Sequence, residues 1–169
     1  MGIASIITEN PNLGRTLSYL SDRVHVHREN DLLMARIGSK KSLVAKLGIK
    51  EGMRIRIINP PLKYDLALGR LPKNVVEISG SDTDLDFVQL FTSSEDELRR
   101  EYPILMRSLK REGIFWISYP RTSSNIESDI VGLTVREVGT GHGMAEVKIS
   151  ALDDDWAGIK FVNKKKDVD

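Results

Sequence analysis

The sequence predicts a three-layer α/β domain built on a mainly parallel sheet and closed near its C-terminal end by an antiparallel hairpin. Three observations carry that expectation. Short β-branched runs alternate with segments of helical periodicity, which implies right-handed crossovers between parallel strands, with helices on both faces. Phe87-Val88-Gln89-Leu90-Phe91 is an apolar run of the kind expected of a central strand covered on both faces. Finally, the strand-like segments 145–151 and 157–162 flank the acidic turn Asp153-Asp154-Asp155.

Each element follows from its residues. Ser39 or Ser42 can cap a short helix through Leu43, Val44 and Leu47, and Gly48 suits its end. The first strand spans 54–58 and is bounded by Asn59-Pro60-Pro61; a helix over 64–71 follows, stopped by Pro72. Residues 75–79 form a second strand before the turn cluster Gly80-Ser81-Asp82. Ser94 with Glu97 three residues on forms a capping box. Leu98, Tyr102, Leu105 and Leu109 then recur at helical spacing as far as Gly113, with Pro103 expected to kink or split the helix. The strand 114–119 ends at Pro120. Ser128 caps a further helix carrying Ile130, Leu133, Thr134 and Val138 on one face.

The chain has 169 residues and no cysteine, which excludes disulfides, thiolate metal ligands and cysteine nucleophiles. No apolar run reaches the length of a membrane span and the N-terminus lacks the order of a secretory signal, so a cytoplasmic protein is expected. The net charge of +1 is unevenly spread: residues 1–56 carry +5 and the remainder −4. Residues 1–40 read as a basic N-terminal arm preceding the domain at 41–169. That arm is expected to join subunits into a homo-oligomer, with nucleic-acid contact as the alternative.

Three motifs, Leu47-Gly48-Ile49-Lys50-Glu51-Gly52-Met53-Arg54, Phe115-Trp116-Ile117-Ser118-Tyr119-Pro120-Arg121 and Ala151-Leu152-Asp153-Asp154-Asp155-Trp156-Ala157-Gly158, resemble the uncharacterised family named domain of unknown function 3052 over residues 43–165. That family implies no activity. The order of elements is also similar to the second half of an S-adenosylmethionine-dependent methyltransferase, a Rossmann-like sheet, lacking one helix-strand-helix unit after residues 75–79. This resemblance implies a cofactor site with a glycine-rich turn after the first strand and an acidic residue near the end of the second. Here the turn is Asn59-Pro60-Pro61, whose prolines remove two N–H donors, and the acidic residue is Glu77.

In open parallel sheets ligands bind at the carboxyl ends of the strands. Asn59, Lys63, Tyr64, Glu77, Ser79, Ser93, Tyr119 and Arg121 would converge there, with Arg121 able to hold an anion bidentately. Other features have plainer readings. Gly139-Thr140-Gly141-His142-Gly143 follows a helix instead of preceding one, so it reads as helix termination, not a phosphate loop. His25 and His27 share a strand face without a third ligand and read as surface or subunit contacts. The three aspartates read as a solvated turn, and Trp116 and Trp156 as core anchors. No nucleophile stands with an evident base, and no metal site is expected. The sequence thus predicts a non-catalytic binding or assembly module, without a cofactor. The alternatives are an enzyme binding S-adenosylmethionine or a nucleotide at the strand ends, and a nucleic-acid-associated protein.

Overall fold

One six-stranded sheet organises the computed structural model, which describes residues 41–165. Its strands are β1 (Arg54–Ile58), β2 (Val76–Glu77), β3 (Leu85–Phe91), β4 (Leu109–Pro120), β5 (Met144–Ala151) and β6 (Trp156–Asn163), in the order β2-β1-β3-β4-β6-β5. β1 to β4 run parallel, while β6 is antiparallel to both β4 and β5. The mainly parallel Rossmann-like sheet with a C-terminal antiparallel hairpin is therefore the observed fold. The helices are α1 (Leu43–Leu47), α2 (Tyr64–Leu68), α3 (Glu95–Ser108) and α4 (Gly132–Gly141).

Alternation along the central strands divides the core in two. Val88, Leu90, Phe115, Ile117 and Tyr119 meet Leu98, Tyr102 and Leu105 of α3 and Val135 and Val138 of α4. Phe87, Phe91 and Trp116 face the other way, against Val44 and Leu47 of α1 and Tyr64 and Leu68 of α2. Both tryptophans are core residues, as expected: Trp116 Nε1 donates to Leu47 O at 2.9 Å, and Trp156 meets Phe91 edge-on at 5.1 Å.

Several boundaries differ from the sequence expectation. α3 runs unbroken through Pro103. Burial of Leu98 and Leu105, about 1.5–3 kcal/mol each, offsets the roughly 3 kcal/mol a helical proline costs. α3 stops at Ser108, whose hydroxyl donates to Leu105 O at 2.6 Å, and not near Gly113. Leu109 then enters β4, and residues 110–113 bulge out, since Leu85 pairs Leu109 while Phe87 pairs Ile114. Gly113 closes this bulge, because a Cβ there would lie 2.9 Å from Lys110 O and 3.1 Å from Leu85 O. α2 ends before the positive-φ Gly69, short of Pro72, and β2 pairs only two residues with β1. α4 begins at Gly132 instead of after Ser128, whose hydroxyl accepts from the amide of Ile130 in a local turn.

Candidate functional site

Parallel pairing delivers the carboxyl ends of β1, β2, β3 and β4 to one edge of the sheet. A cleft of about 380 Å³ opens there between β1 and β2, lined by Arg56, Ile57, Ile58, Asn59, Glu77, Ile78, Ser79 and Gly80. Three residues expected from the sequence, Asn59, Glu77 and Ser79, come together in it. Ile58 and Ile78 give it an apolar side on the α3 face of the sheet, Ile57 packing on the opposite face, while Arg56 and Glu77 contribute one charge of each sign.

The turn after β1 explains the missing glycine. Asn59 itself holds the left-handed conformation, φ 54°, which asparagine tolerates better than most residues. Pro60 and Pro61 follow, and Pro61 O accepts from the Tyr64 amide at 3.1 Å to start α2. The Asn59 side chain is tied to α3: its Nδ2 donates to Glu97 Oε1 at 3.0 Å, and the Thr92 hydroxyl donates to the other oxygen of the same carboxylate. Ser94 caps α3 by accepting from the Glu97 amide at 3.3 Å, as the capping box predicts. The reciprocal arm of that box is absent, because the Ser94 amide donates instead to the Thr92 hydroxyl. Asp129 Oδ1 accepts from the Glu95 amide at 2.7 Å. The α3 N-terminus beside the cleft is thus already met by the Ser94 hydroxyl and the Asp129 carboxylate.

Five expected site residues lie elsewhere or are otherwise engaged. Tyr64 is buried in the core, where its hydroxyl donates to Gln89 Oε1 at 2.8 Å. Burial pushes that hydroxyl above the ordinary tyrosine range. Tyr119 belongs to the opposite core layer beneath Gly132, and burial pushes its hydroxyl up too. Arg121 turns to the hairpin loop: its Nη1 donates to Asp153 O at 3.0 Å and its amide to Asp155 O at 2.7 Å. Lys63 stands exposed at the N-cap of α2 with φ 63°, outside the cleft lining. Ser93 is half-buried beside Asp129, whose amide donates to its carbonyl at 3.1 Å.

α4 extends through Gly141 and His142 caps it, its Nδ1 at 2.8 Å from Val138 O, so the glycine-rich segment ends a helix. Asp153 Oδ1 accepts the amides of Asp155 and Trp156 at 2.8 and 2.7 Å, closing the hairpin turn. The arm 1–40, with His25 and His27, lies outside the described residues. Most of the positive excess does not belong to that arm. Residues 1–40 carry +1, and Lys41, Lys46, Lys50, Arg54 and Arg56 against Glu51 supply +4. No helix among the described residues is long and apolar enough to cross a membrane.

No family model and no curated protein matches the chain. Solved structures do. A TehB-like S-adenosylmethionine-dependent methyltransferase from Corynebacterium glutamicum is similar at 15% identity and TM-score 0.49, over 83% of this chain and 99% of that one. A methyltransferase from Aquifex aeolicus is similar at 15% identity and TM-score 0.47, over 70% and 86%. Fibrillarin from Aeropyrum pernix, with natively bound S-adenosylmethionine, is similar at 12% identity and TM-score 0.48, over 71% and 73%.

Sequence reading missed Arg56, Glu97 and the apolar contribution of Ile58 and Ile78. One signal was present for Arg56, a cation inside a β-branched strand. Glu97 was legible as a cap residue but not as the anchor of Asn59, because that contact crosses 38 residues.

Proposed function

We propose that this protein is a binding module that takes a small, hydroxylated, adenosine-type ligand in the cleft between β1 and β2 without transforming it. The observation that carries the proposal is the cleft's composition at the carboxyl edge of a parallel sheet. Ile58 and Ile78, on the α3 side of the sheet, offer an apolar surface for a planar base, and Glu77, Asn59 and Ser79 offer acceptors and donors for hydroxyls. A nucleotide's phosphates are a poorer fit, because the Ser94 hydroxyl and the Asp129 carboxylate already occupy amides of the α3 N-terminus where an anion would be favoured. The non-catalytic half of the proposal is supported by the engagement of the neighbouring groups. Glu97 is a double acceptor, Arg121 is bonded to the hairpin turn, and the Tyr64 hydroxyl is bonded to Gln89 within the core. Membership of the domain of unknown function 3052 family is proposed alongside, on the three motifs.

The test is a thermal-shift comparison of adenosine, S-adenosylmethionine, S-adenosylhomocysteine and ATP. A ligand at ten times its Kd stabilises the folded state by about 1.4 kcal/mol, so an adenosine-type compound should raise the melting midpoint and Glu77→Ala should remove the rise. Absence of any shift at millimolar concentrations refutes the site, and transfer of a labelled methyl group from S-adenosylmethionine to any acceptor refutes the non-catalytic half.

A further inference from the structure

The hairpin of β5 and β6 sets Lys148 directly opposite Lys160 on one face. Opposed cross-strand residues stand roughly 4.5–5.5 Å apart, and like charges there are destabilising. A third cation completes the group. The α1 terminus lies against Lys160, whose Nζ is 3.7 Å from where a Cβ on Gly48 would stand, and the chain proceeds at once to the exposed Lys50. Burial, and then the charges of Lys148 and Lys50, hold the Lys160 ammonium below the usual lysine range. At the margin of this face Lys46 Nζ donates to Ala151 O at 3.3 Å, a neutral partner.

Glu51 follows Lys50, but no carboxylate among the described residues is paired with the group. Among the described residues, none of Lys50, Lys148 and Lys160 takes part in an ion pair. Glu146, two positions before Lys148, is held bidentately by Arg136 of α4 on the opposite face. In the hairpin turn, Asp153 Oδ1 accepts the amides of Asp155 and Trp156, and Asp155 Oδ1 accepts from the Ser124 hydroxyl. Beyond Asn163, Lys164 and Lys165 prolong the positive end of β6.

We propose that this face, built by the 48–50 segment and the β5-β6 hairpin, binds the phosphodiester backbone of a nucleic acid. Opposed lysines that weaken the free protein become favourable contacts when phosphates lie between them. A lipid surface fits less well, since the exposed Ile149 that could enter it pairs with the buried Ile159 and so faces α4, away from the lysines. The interaction would be independent of sequence, because lysines engage phosphates as point charges and this group has no arginine fork.

Fluorescence anisotropy on the full chain tests this, with a labelled 20-base-pair DNA duplex and a 20-nucleotide poly(U) RNA. Three lysine-phosphate contacts predict that duplex affinity falls about 40-fold between 50 and 200 mM salt, and only about 3.5-fold for the Lys50→Gln/Lys148→Gln variant. Lys148→Arg should keep the wild-type slope, and Lys148→Gln should melt above wild type as repulsion of Lys160 is relieved, which shows that lost binding is not lost folding. Binding to either probe with these responses supports the proposal. It is overturned by no binding to either at about 200 µM protein and 50 mM salt, by unchanged affinity in the double variant, or by binding to anionic phosphatidylserine vesicles alone.

Discussion

Replacing Gln89 by Met tests whether a buried hydrogen-bond chain positions α2 under the sheet. Gln89 is fully buried, accepts from the Tyr64 hydroxyl at 2.8 Å, and donates from Nε2 to Ser118 Oγ at 2.9 Å. Methionine nearly conserves the volume, so no cavity is expected, but it removes the acceptor for the hydroxyl of Tyr64, a residue 4% exposed, and the donor to a fully buried serine. Each stranded neutral group costs about 1–3 kcal/mol, partly offset because the amide itself is no longer buried. A net loss of about 2–4 kcal/mol follows. Tyr64→Phe strands only Gln89 Oε1 and should cost about 1–2 kcal/mol. In the double variant the stranded hydroxyl is gone, so the combined loss should fall short of the sum by about 1–2 kcal/mol. Urea denaturation of the full chain followed by circular dichroism measures all three. Losses that add within about 0.5 kcal/mol, or a Gln89→Met protein as stable as wild type, would refute the coupling.

Two further predictions concern the bulge and α4. Burial alone would raise the Asp86 carboxyl, but the Arg54 amide at 2.8 Å and the Lys110 ammonium at 2.9 Å outweigh it and hold the group below the usual carboxylate range. Its folded pKa being depressed, its stabilisation is complete above the unfolded value of about 3.9 and is lost as pH falls through the folded value. The melting-point gap between wild type and Asp86→Asn should therefore be constant near neutrality and close in acid, and a gap that widens in acid contradicts the assignment. Gly139→Ala puts a methyl 2.2 Å from Phe161 Cε1 and should destabilise by at least about 1–3 kcal/mol. Gly141→Ala, with nothing within 4 Å, should instead be neutral or stabilising by up to about 1 kcal/mol. Equal effects in chemical denaturation would show that helix propensity, not contact with Phe161, governs the first position.

Fewer features of the site than of the fold were legible in the residues. Glu77 and Ser79 were found because a strand end is a local pattern and the edge it reaches follows from parallel pairing. Tyr64 and Tyr119 were misplaced because a tyrosine beside a strand end can turn its ring inward, and the aromatic contact of Tyr64 with Phe91 at 4.6 Å depends on packing between elements. Arg121 was correctly placed at the carboxyl end of β4, but its guanidinium is directed by a hairpin turn 32 residues away.

By itself the sequence determined the order and type of the elements: the double-faced apolar strand β3, the capped helix α3, the antiparallel hairpin, and the need for an unusual turn after β1. These follow from side-chain periodicity and backbone preference, which act over a few residues. Tertiary structure alone decided where α3 stops, which strand bulges at Asp86, that Asn59 is fastened to Glu97, and that Lys148 faces Lys160. Each of these depends on strand register and on contacts between distant segments, which follow from the packing of the whole core.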